Sequence, residues 1–261
     1  MLTTEAEAAQ HRIVTDAVHA AGGKIAMQIL HFGRYAYHAD LVAPSAVKSP
    51  INPGTPHALT GDEVEQTIAD FVRCAALAQH AGYDGVEIMG SEGYLINEFL
   101  VAHTNHRTDR WGGSYENRMR LPLRIAAIMR EEWPDHLPAF VRISSVDGVD
   151  IGWSIEDSVA FAAELKAIGI DMVDCSSGGM KLPRGNSLVS RTPGFQVPFA
   201  ERIQQEVGMP TVAVGLIREP DYAEAILRDG KATLIALGRE LLWNPNWPAQ
   251  TALALGCDPE W

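Results

Sequence analysis

Short apolar segments of strand length alternate with helical segments along most of the chain, and this alternation restricts the possible folds more than any other feature. Six segments predict strands, beginning near residues 25, 85, 139, 172, 211 and 233. Two of the intervening helices have capping boxes at their starts, Thr60-Gly-Asp-Glu63 and Ser154-Ile-Glu-Asp157. Strands that are joined through helices run parallel, so an α/β fold with helices outside a parallel sheet is expected.

The strand count leaves two architectures open. A closed (β/α)8 barrel has eight strands, two more than the six predicted, so the chain forms either an incomplete barrel or an open doubly wound sheet. Its 261 residues are close to the usual size of a barrel, and no linker or low-complexity tract divides them. A single domain over residues 1–261 is therefore expected. Both architectures bind ligands at the carboxyl ends of the strands.

Composition excludes several classes of partner. The chain has 21 Lys and Arg against 33 Asp and Glu, a formal charge of −12, which argues against nucleic acids and anionic membrane surfaces. It has no apolar run long enough to cross a bilayer, and its polar start does not resemble a signal peptide. Its three cysteines form no CxxC pair and fit a reducing compartment, so a cytoplasmic protein is predicted.

One metal-like spacing occurs, in His103-x-x-His106. No third ligand accompanies these histidines, so a polar loop is the favoured interpretation and no metal site is predicted.

Arg142 lies within the predicted strand Ala139–Ser144, between Val141 and Ile143. Burying a guanidinium there costs several kcal/mol unless an anion or several acceptors meet it. The sequence allows two explanations, a structural salt bridge with a nearby carboxylate or a contact with an electron-rich group of a bound cofactor.

Gly215 and the pair Gly238-Arg239 follow the last two predicted strands. Glycines at such positions let backbone amides approach a phosphate, and an arginine adds a two-pronged clamp. The loops after the last two strands of a barrel are the usual phosphate site. The alternative is that the glycines form only tight turns.

Candidate catalytic and substrate-binding residues follow the first two strands. Tyr94 and Glu92 come just after the second strand, where a tyrosine hydroxyl can donate a proton, although a tyrosine in a loop is more often merely packed. His31 and Arg34 come after the first strand and could bind an anionic ligand. The alternative for His31 is a hydrogen-bonded core residue.

Taken together, these segments resemble the Old Yellow Enzyme family of FMN-dependent oxidoreductases over nearly the whole chain. The motifs that carry the resemblance are QILHFGR (28–34), APSA (43–46), EGYLINEFL (92–100), NHRTDRWGGSYENRMR (105–120), VRIS (141–144), DCSSGG (174–179), AVGLI (213–217) and LGREL (237–241).

The resemblance implies a role for individual residues. Gln28 is similar to the glutamine that hydrogen-bonds the flavin pyrimidine edge, and Arg142 to the arginine facing flavin N1 and O2. Gly215, Gly238 and Arg239 are similar to the FMN phosphate clamp. Tyr94, with Glu92 beside it, is similar to the tyrosine that protonates the substrate α-carbon while flavin N5 delivers hydride to the β-carbon.

Two parts of the chain resemble different branches of that family. Residues 1–120 are similar to bacterial 2,4-dienoyl-CoA reductase and residues 121–255 to the xenobiotic reductases, which predicts a subfamily boundary near residue 120. Met89 and Glu92 occupy the positions of two ligand-binding histidines common in other ene-reductases, so Met89 joins His31 and Arg34 as a predicted substrate contact. The segment MKLPRGN (180–186) lacks the catalytic histidine that dienoyl-CoA reductases carry there.

The expected fold is therefore a TIM (β/α)8-type barrel lacking the first two strands, an N-terminally incomplete FMN-binding domain. The leading functional prediction is an ene-reductase that uses FMN, NAD(P)H as electron donor and a small-molecule activated alkene. One alternative is a truncated or chimeric fragment with little activity, and another is a relative of the amine dehydrogenases and demethylases. Open sheet edges favour association, so a homo-oligomer is possible on this interpretation.

Overall fold

The computed structural model describes residues 2–149, 152–178, 189 and 191–258. A parallel six-stranded sheet forms its centre, and a parallel pair of two-residue strands lies apart from it. In chain order the strands are β1 (Ala26–Ile29), β2 (Val42–Ala43), β3 (His57–Ala58), β4 (Gly85–Gly90), β5 (Ala139–Ser144), β6 (Met172–Ser176), β7 (Thr211–Val214) and β8 (Leu234–Ala236).

Helices fill most of the connections between these strands. They are α1 (Glu5–Ala20), α2 (Gly61–His80), α3 (Leu95–Leu100), α4 (Tyr115–Glu132), α5 (Ile155–Ala167), α6 (Val197–Val207), α7 (Pro220–Arg228), α8 (Arg239–Trp243) and α9 (Trp247–Ala254), with one 3-10 turn at Gly33–Tyr35.

The order of the strands decides between the two architectures. The six strands pair in the order β1-β4-β5-β6-β7-β8, each beside the next one along the chain. A doubly wound sheet reverses its order at a switch point, whereas a barrel does not. Among the described residues β1 pairs only with β4 and β8 only with β7, so the sheet is not closed. The predicted six-stranded partial barrel is confirmed.

Alternation along the central strands separates a core face from a concave face. Val86, Val141 and Val173 point to the helices and are at most 2% exposed. The alternate positions on the concave face include Arg142 and Asp174, which are neighbours in the register of β5 and β6. The charged residues of these strands therefore lie inside the partial barrel, while the hydrophobic core lies between the sheet and the helices.

Both predicted capping boxes are formed, at Thr60 with Glu63 and at Ser154 with Asp157. A third, at Thr4 with Glu7, starts α1 at Glu5, whereas hydrophobic periodicity in the sequence predicts a helix over residues 9–21. Helix α3 was not predicted, because all six of its residues are buried and it therefore has no polar face to create an amphipathic pattern.

No helix in the described ranges is both long and apolar enough to cross a membrane.

Candidate active site

A hollow of about 1630 Å³ opens at the carboxyl ends of the sheet strands. It receives residues from the ends of β4, β5, β6, β7 and β8, as expected for ligand sites in parallel α/β folds. Six of the ten predicted site residues line it, namely Glu92, Tyr94, Arg142, Gly215, Gly238 and Arg239. Residues far apart in the sequence are thus gathered around one space.

Arg142 lies at the floor of this hollow within a dense set of acceptors. Its Nη1 donates to Asp174 Oδ2 at 2.5 Å, and its Nη2 donates to Glu92 Oε1 at 2.9 Å and to Ser176 Oγ at 3.2 Å. Burial alone would lower the pKa of Arg142, but the two carboxylates hold it above its usual value. The salt bridge considered from the sequence is present, and the same guanidinium also lines the hollow.

Glu92 is held in place by an unusual backbone conformation. It has a φ of +63°, and Gly93 follows with a φ of +83°. Few non-glycine residues adopt this left-handed region, and those that do concentrate at functional sites. The Glu92 amide donates to Ser144 Oγ at 2.9 Å, and its Oε1 accepts from Ser176 Oγ at 2.7 Å. The strained turn directs the carboxylate toward Arg142.

Tyr94 is the N-cap residue of α3 and lies in an aromatic corner. Its ring meets Phe32 and Tyr35 edge to face, with centroids 5.7 and 6.1 Å apart. Burial, and then the charge of Glu92, raise the pKa of Tyr94 above that of a free tyrosine. The hydroxyl therefore stays protonated at neutral pH and can act as a proton donor.

The other end of the hollow contains Gly215 and Gly238 among its lining residues. Gly215 has a φ of +126°, and its carbonyl accepts from the Gly194 amide at 2.8 Å. Gly238 precedes α8, and a Cβ added to it would meet no atom within 4 Å. Arg239 is exposed beside it. Gly215, Gly238 and Arg239 thus line the hollow together here, and glycine amides with an arginine are a suitable set of donors for an anion.

Gln28 lies beside this hollow and is not one of its lining residues. It is the register neighbour of Glu87 in the β1–β4 pair, and its Nε2 donates to Glu87 Oε2 at 2.6 Å. Burial, and then the charge of Asp174, raise the pKa of Glu87 to about 7.

The three predicted substrate contacts also lie outside the lining of the hollow. Met89 is buried, and its sulfur accepts from Ser91 Oγ at 3.4 Å. His31 Nδ1 accepts from the Gly33 amide at 3.1 Å, and burial lowers the pKa of this histidine. Arg34 is buried, and its side chain donates to backbone carbonyls of Val47 and Lys48 at 3.4 Å.

The sequence reading missed three acidic residues, Glu87, Asp174 and Glu98. Glu98 is fully buried in α3, where burial raises its pKa to about 8, and its Oε1 accepts from the Arg34 amide at 3.0 Å. Glu87 and Asp174 stand within otherwise apolar strands, GVEIM and MVDCS. The buried-charge argument that identified Arg142 applies equally to both and would have found them.

The described residues contain no group of three or more His, Cys, Asp and Glu side chains placed to hold a metal ion. The segment 180–186 and Gly179 of the DCSSGG motif lie outside the described residues.

Comparison with known proteins identifies relatives over most of the chain. Residues 1–255 match the model of the NADH:flavin oxidoreductase / NADH oxidase family, and the match continues across residue 120. The chain is 40% identical over 246 residues to NADPH dehydrogenase of Bacillus subtilis (strain 168), an alignment that covers 94% of this chain and 71% of that protein.

Solved structures agree with this assignment. Morphinone reductase in complex with tetrahydroNAD superposes with a TM-score of 0.81 at 28% identity, over 98% of this chain and 73% of that one. A complex of 2-naphthoyl-CoA reductase with 2-naphthoyl-CoA superposes with a TM-score of 0.89 at 27% identity, over 98% of this chain but only 41% of that one.

The expected cofactors, FMN with NAD(P)H as electron donor, are those of the matched family. The fold, the family model and the relatives agree with the resemblance that the motifs carried. The chain therefore belongs to the NADH:flavin oxidoreductase / NADH oxidase family, the FMN-dependent oxidoreductases of the Old Yellow Enzyme type.

Proposed function

We propose that the protein is an ene-reductase that takes electrons from NAD(P)H through FMN and reduces an activated alkene. The observation that carries this proposal is the gathering of Tyr94, Arg142 and the Gly238-Arg239 pair around one hollow. A relative with the name NADPH dehydrogenase supports the electron donor. Neighbours that act on morphinone and on a naphthoyl-CoA thioester support a substrate whose double bond is conjugated to a carbonyl group.

The residues present fit an FMN molecule. The glycines at the β7–β8 end keep side chains away from an approaching phosphate, and a Cβ at Gly238 would project into open space. Arg239 would add the clamping cation. At the opposite end, Arg142 and Gln28 would face the pyrimidine edge of the ring. Glycines with an arginine at one end, and polar side chains at the other, suit a ligand that has a phosphate at one end and a polar ring at the other.

Bound FMN supplies the transfer of a hydride from NAD(P)H to the alkene. Arg142 remains charged throughout, because its carboxylate partners hold its pKa high, so it offers a permanent cation beside the ring. Tyr94 holds the proton that the substrate α-carbon needs. Phe32 and Tyr35 pack against the Tyr94 ring and limit the directions that its hydroxyl can take.

Glu92 acts beside Tyr94 in this proposal. After burial, the charge of its carboxylate raises the pKa of Tyr94 further and so favours the protonated hydroxyl. Glu92 also compensates part of the positive charge of Arg142, because Glu92 Oε1 lies 2.9 Å from Arg142 Nη2. The predicted substrate contacts His31, Arg34 and Met89 are not among the lining residues, so we assign them the support of the lining rather than direct contact with the substrate.

Replacing Tyr94 tests the mechanism. Tyr94→Phe removes the donated proton and keeps the ring, so alkene reduction should slow by about 10²- to 10⁴-fold. Reduction of the flavin by NAD(P)H needs no proton from this group and should stay nearly unchanged. Stopped-flow absorbance separates the two half-reactions, and Tyr35→Phe, which alters a neighbouring ring of the same hollow, is the matched control.

Flavin binding tests the foundation of the proposal. The purified protein should be yellow, and FMN at a hundredfold excess over its Kd should stabilise the fold by about 2.7 kcal/mol in thermal melting. A colourless protein whose melting temperature does not respond to FMN would contradict the proposal.

If Tyr94→Phe slows both half-reactions equally, Tyr94 is not the proton donor. That result would leave the proposed flavin chemistry unaffected.

A further inference from the structure

Two carboxyl groups that the proposed reaction does not use connect the two side chains proposed to face the flavin ring. Glu87 is paired with Gln28 across β1 and β4, and Asp174 with Arg142 across β5 and β6. The contacts are short, 2.6 Å from Gln28 Nε2 to Glu87 and 2.5 Å from Arg142 Nη1 to Asp174. All four side chains project from the concave face of the sheet.

Asp174 is a buried residue whose carboxylate has one oxygen without a hydrogen bond within the described part of the chain. It is 5% exposed, and its Oδ1 accepts no hydrogen bond from the described residues. The Glu87 carboxyl lies within hydrogen-bonding reach of Asp174. Two ionised carboxylates can only repel at this separation, whereas one proton between them satisfies the buried acceptor.

The charges around Glu87 favour the same conclusion. Two charged groups act on Glu87, namely Asp174 and Arg142, and Glu92 acts in turn on Asp174. The other neighbour of Glu87, Gln28, is neutral. With Glu87 ionised, three carboxylates would surround one guanidinium. Binding one proton reduces that excess of negative charge, and burial favours the neutral form further.

We infer that Glu87 and Asp174 share one proton and act as positioning residues for Gln28 and Arg142 in FMN binding. This inference rests on the proposed function. Glu87 accepts a hydrogen bond from Gln28 Nε2. This contact determines which side of the Gln28 amide remains available to the flavin ring. Asp174 fixes the plane of the Arg142 guanidinium.

A consequence follows for the reduced flavin. Loss of the shared proton at high pH adds a negative charge close to Arg142, and this opposes the negative charge that the ring gains on reduction. The ratio of reduced to oxidised flavin at a fixed potential should therefore fall more steeply with pH above neutrality. One linked proton changes this ratio by up to about tenfold per pH unit. Glu87→Gln should remove this additional dependence, because its amide does not titrate.

The first measurement needs no flavin. Glu98 is a second buried carboxyl with a raised pKa, so all proteins in this measurement, the reference wild type included, carry Glu98→Gln. Infrared difference spectra of the apoprotein between pH 5 and pH 9 should then show a carboxylic-acid carbonyl band that disappears as the pH rises through about 7. Glu87→Gln should lack the band, and the exposed control Glu164→Gln should keep it. Asp174→Asn, whose amide can donate to an ionised Glu87, should move the loss of the band to lower pH. An identical band in wild type and Glu87→Gln would overturn the shared proton.

The second measurement is the flavin reduction potential of the FMN-loaded protein across the same pH range. Wild type and Glu87→Gln should agree near pH 6 and diverge above pH 7, while Glu164→Gln follows wild type. Parallel curves for wild type and Glu87→Gln would overturn the positioning role even if the infrared band is present. Failure to bind FMN at all would instead contradict the proposed function, so the two failures are distinguishable.

Discussion

The two ends of the hollow are built in different ways. At the Arg142 end, the strands β4, β5 and β6 have five or six residues each, and their helix-facing side chains are almost completely buried. At the Gly238 end, β7 and β8 have four and three residues, Leu234 is 46% exposed and Trp243 is 87% exposed. The first end is fixed by core packing and buried ion pairs, whereas the second lies at a thinly covered edge of the sheet.

This difference predicts which substitutions should change stability and which should change only ligand binding. A side chain that belongs to a buried network contributes to stability and to ligand binding together. Gly238 and the exposed Arg239 at the sheet edge should instead affect binding with little effect on folding. Five substitutions test that division.

Arg142→Ala should have the largest effect. It leaves Asp174 and Glu92 without their shared cation, and breaking a buried pair in this way typically costs about 3–5 kcal/mol. FMN affinity should fall in the same variant. Urea denaturation measures the loss, and Arg202→Ala, which breaks exposed ion pairs with Glu156 and Glu206, should cost far less because water screens these pairs. Equal costs for both variants would contradict the buried-network description.

Glu98→Gln should change the pH dependence of stability at the packed end. The pKa of Glu98 is raised to about 8, so the folded state favours its neutral form. The stabilisation from that raised pKa is complete below about pH 4.5 and is lost as the pH rises through about 8. Wild type should therefore lose about 2–3 kcal/mol more than the variant between pH 6 and pH 9.

Thermal melting at a series of pH values measures this difference. Glu131→Gln, at an exposed position on α4, should follow wild type throughout. If Glu98→Gln also follows wild type, Glu98 is ionised in the folded protein and the expected burial effect is absent.

Gly215→Ala and Gly238→Ala should differ from each other. Alanine at Gly215 must keep a φ of +126° and places its Cβ 3.0 Å from Phe195, which should cost about 1–3 kcal/mol. Alanine at Gly238 meets no atom within 4 Å, so folding should change little. FMN affinity should fall in both if the two glycines face the phosphate. Unchanged FMN affinity in Gly238→Ala would argue that this glycine serves only the turn.

Arg239→Ala should have the smallest effect on folding and a clear effect on binding. The side chain is exposed, and removing one charge-assisted contact to a phosphate should weaken FMN binding by about 1.5–3 kcal/mol. Fluorescence titration with FMN and with riboflavin measures this, because riboflavin lacks the phosphate. A similar loss for both ligands would place Arg239 away from the phosphate.

Much of the fold was predictable because its signals are local. Alternation of strands and helices, capping boxes at Thr60 and Ser154, and glycines at helix ends all act within a few residues. Helix α3 was missed because it is buried on every side and therefore has no amphipathic period. The start of α1 was placed too late because its capping box precedes the apolar pattern.

The candidate site was predictable only in part. A charge in an apolar strand identified Arg142, and motif resemblance identified Tyr94, Gly215 and Arg239. The pairing of Gln28 with Glu87 and of Arg142 with Asp174 was not predicted, because it depends on the register between strands that are far apart in the sequence.

The sequence by itself determined the family, the parallel α/β class and the six strands, because each of these is recorded in motifs or in short-range periodicity. Tertiary structure decided that the strands follow one another around a partial barrel, and which polar side chains share its concave face. The physical reason is that strand pairing and low-dielectric burial are properties of distant segments brought together. The charge state of a buried carboxyl such as Glu87 depends on neighbours that no local stretch of the sequence contains.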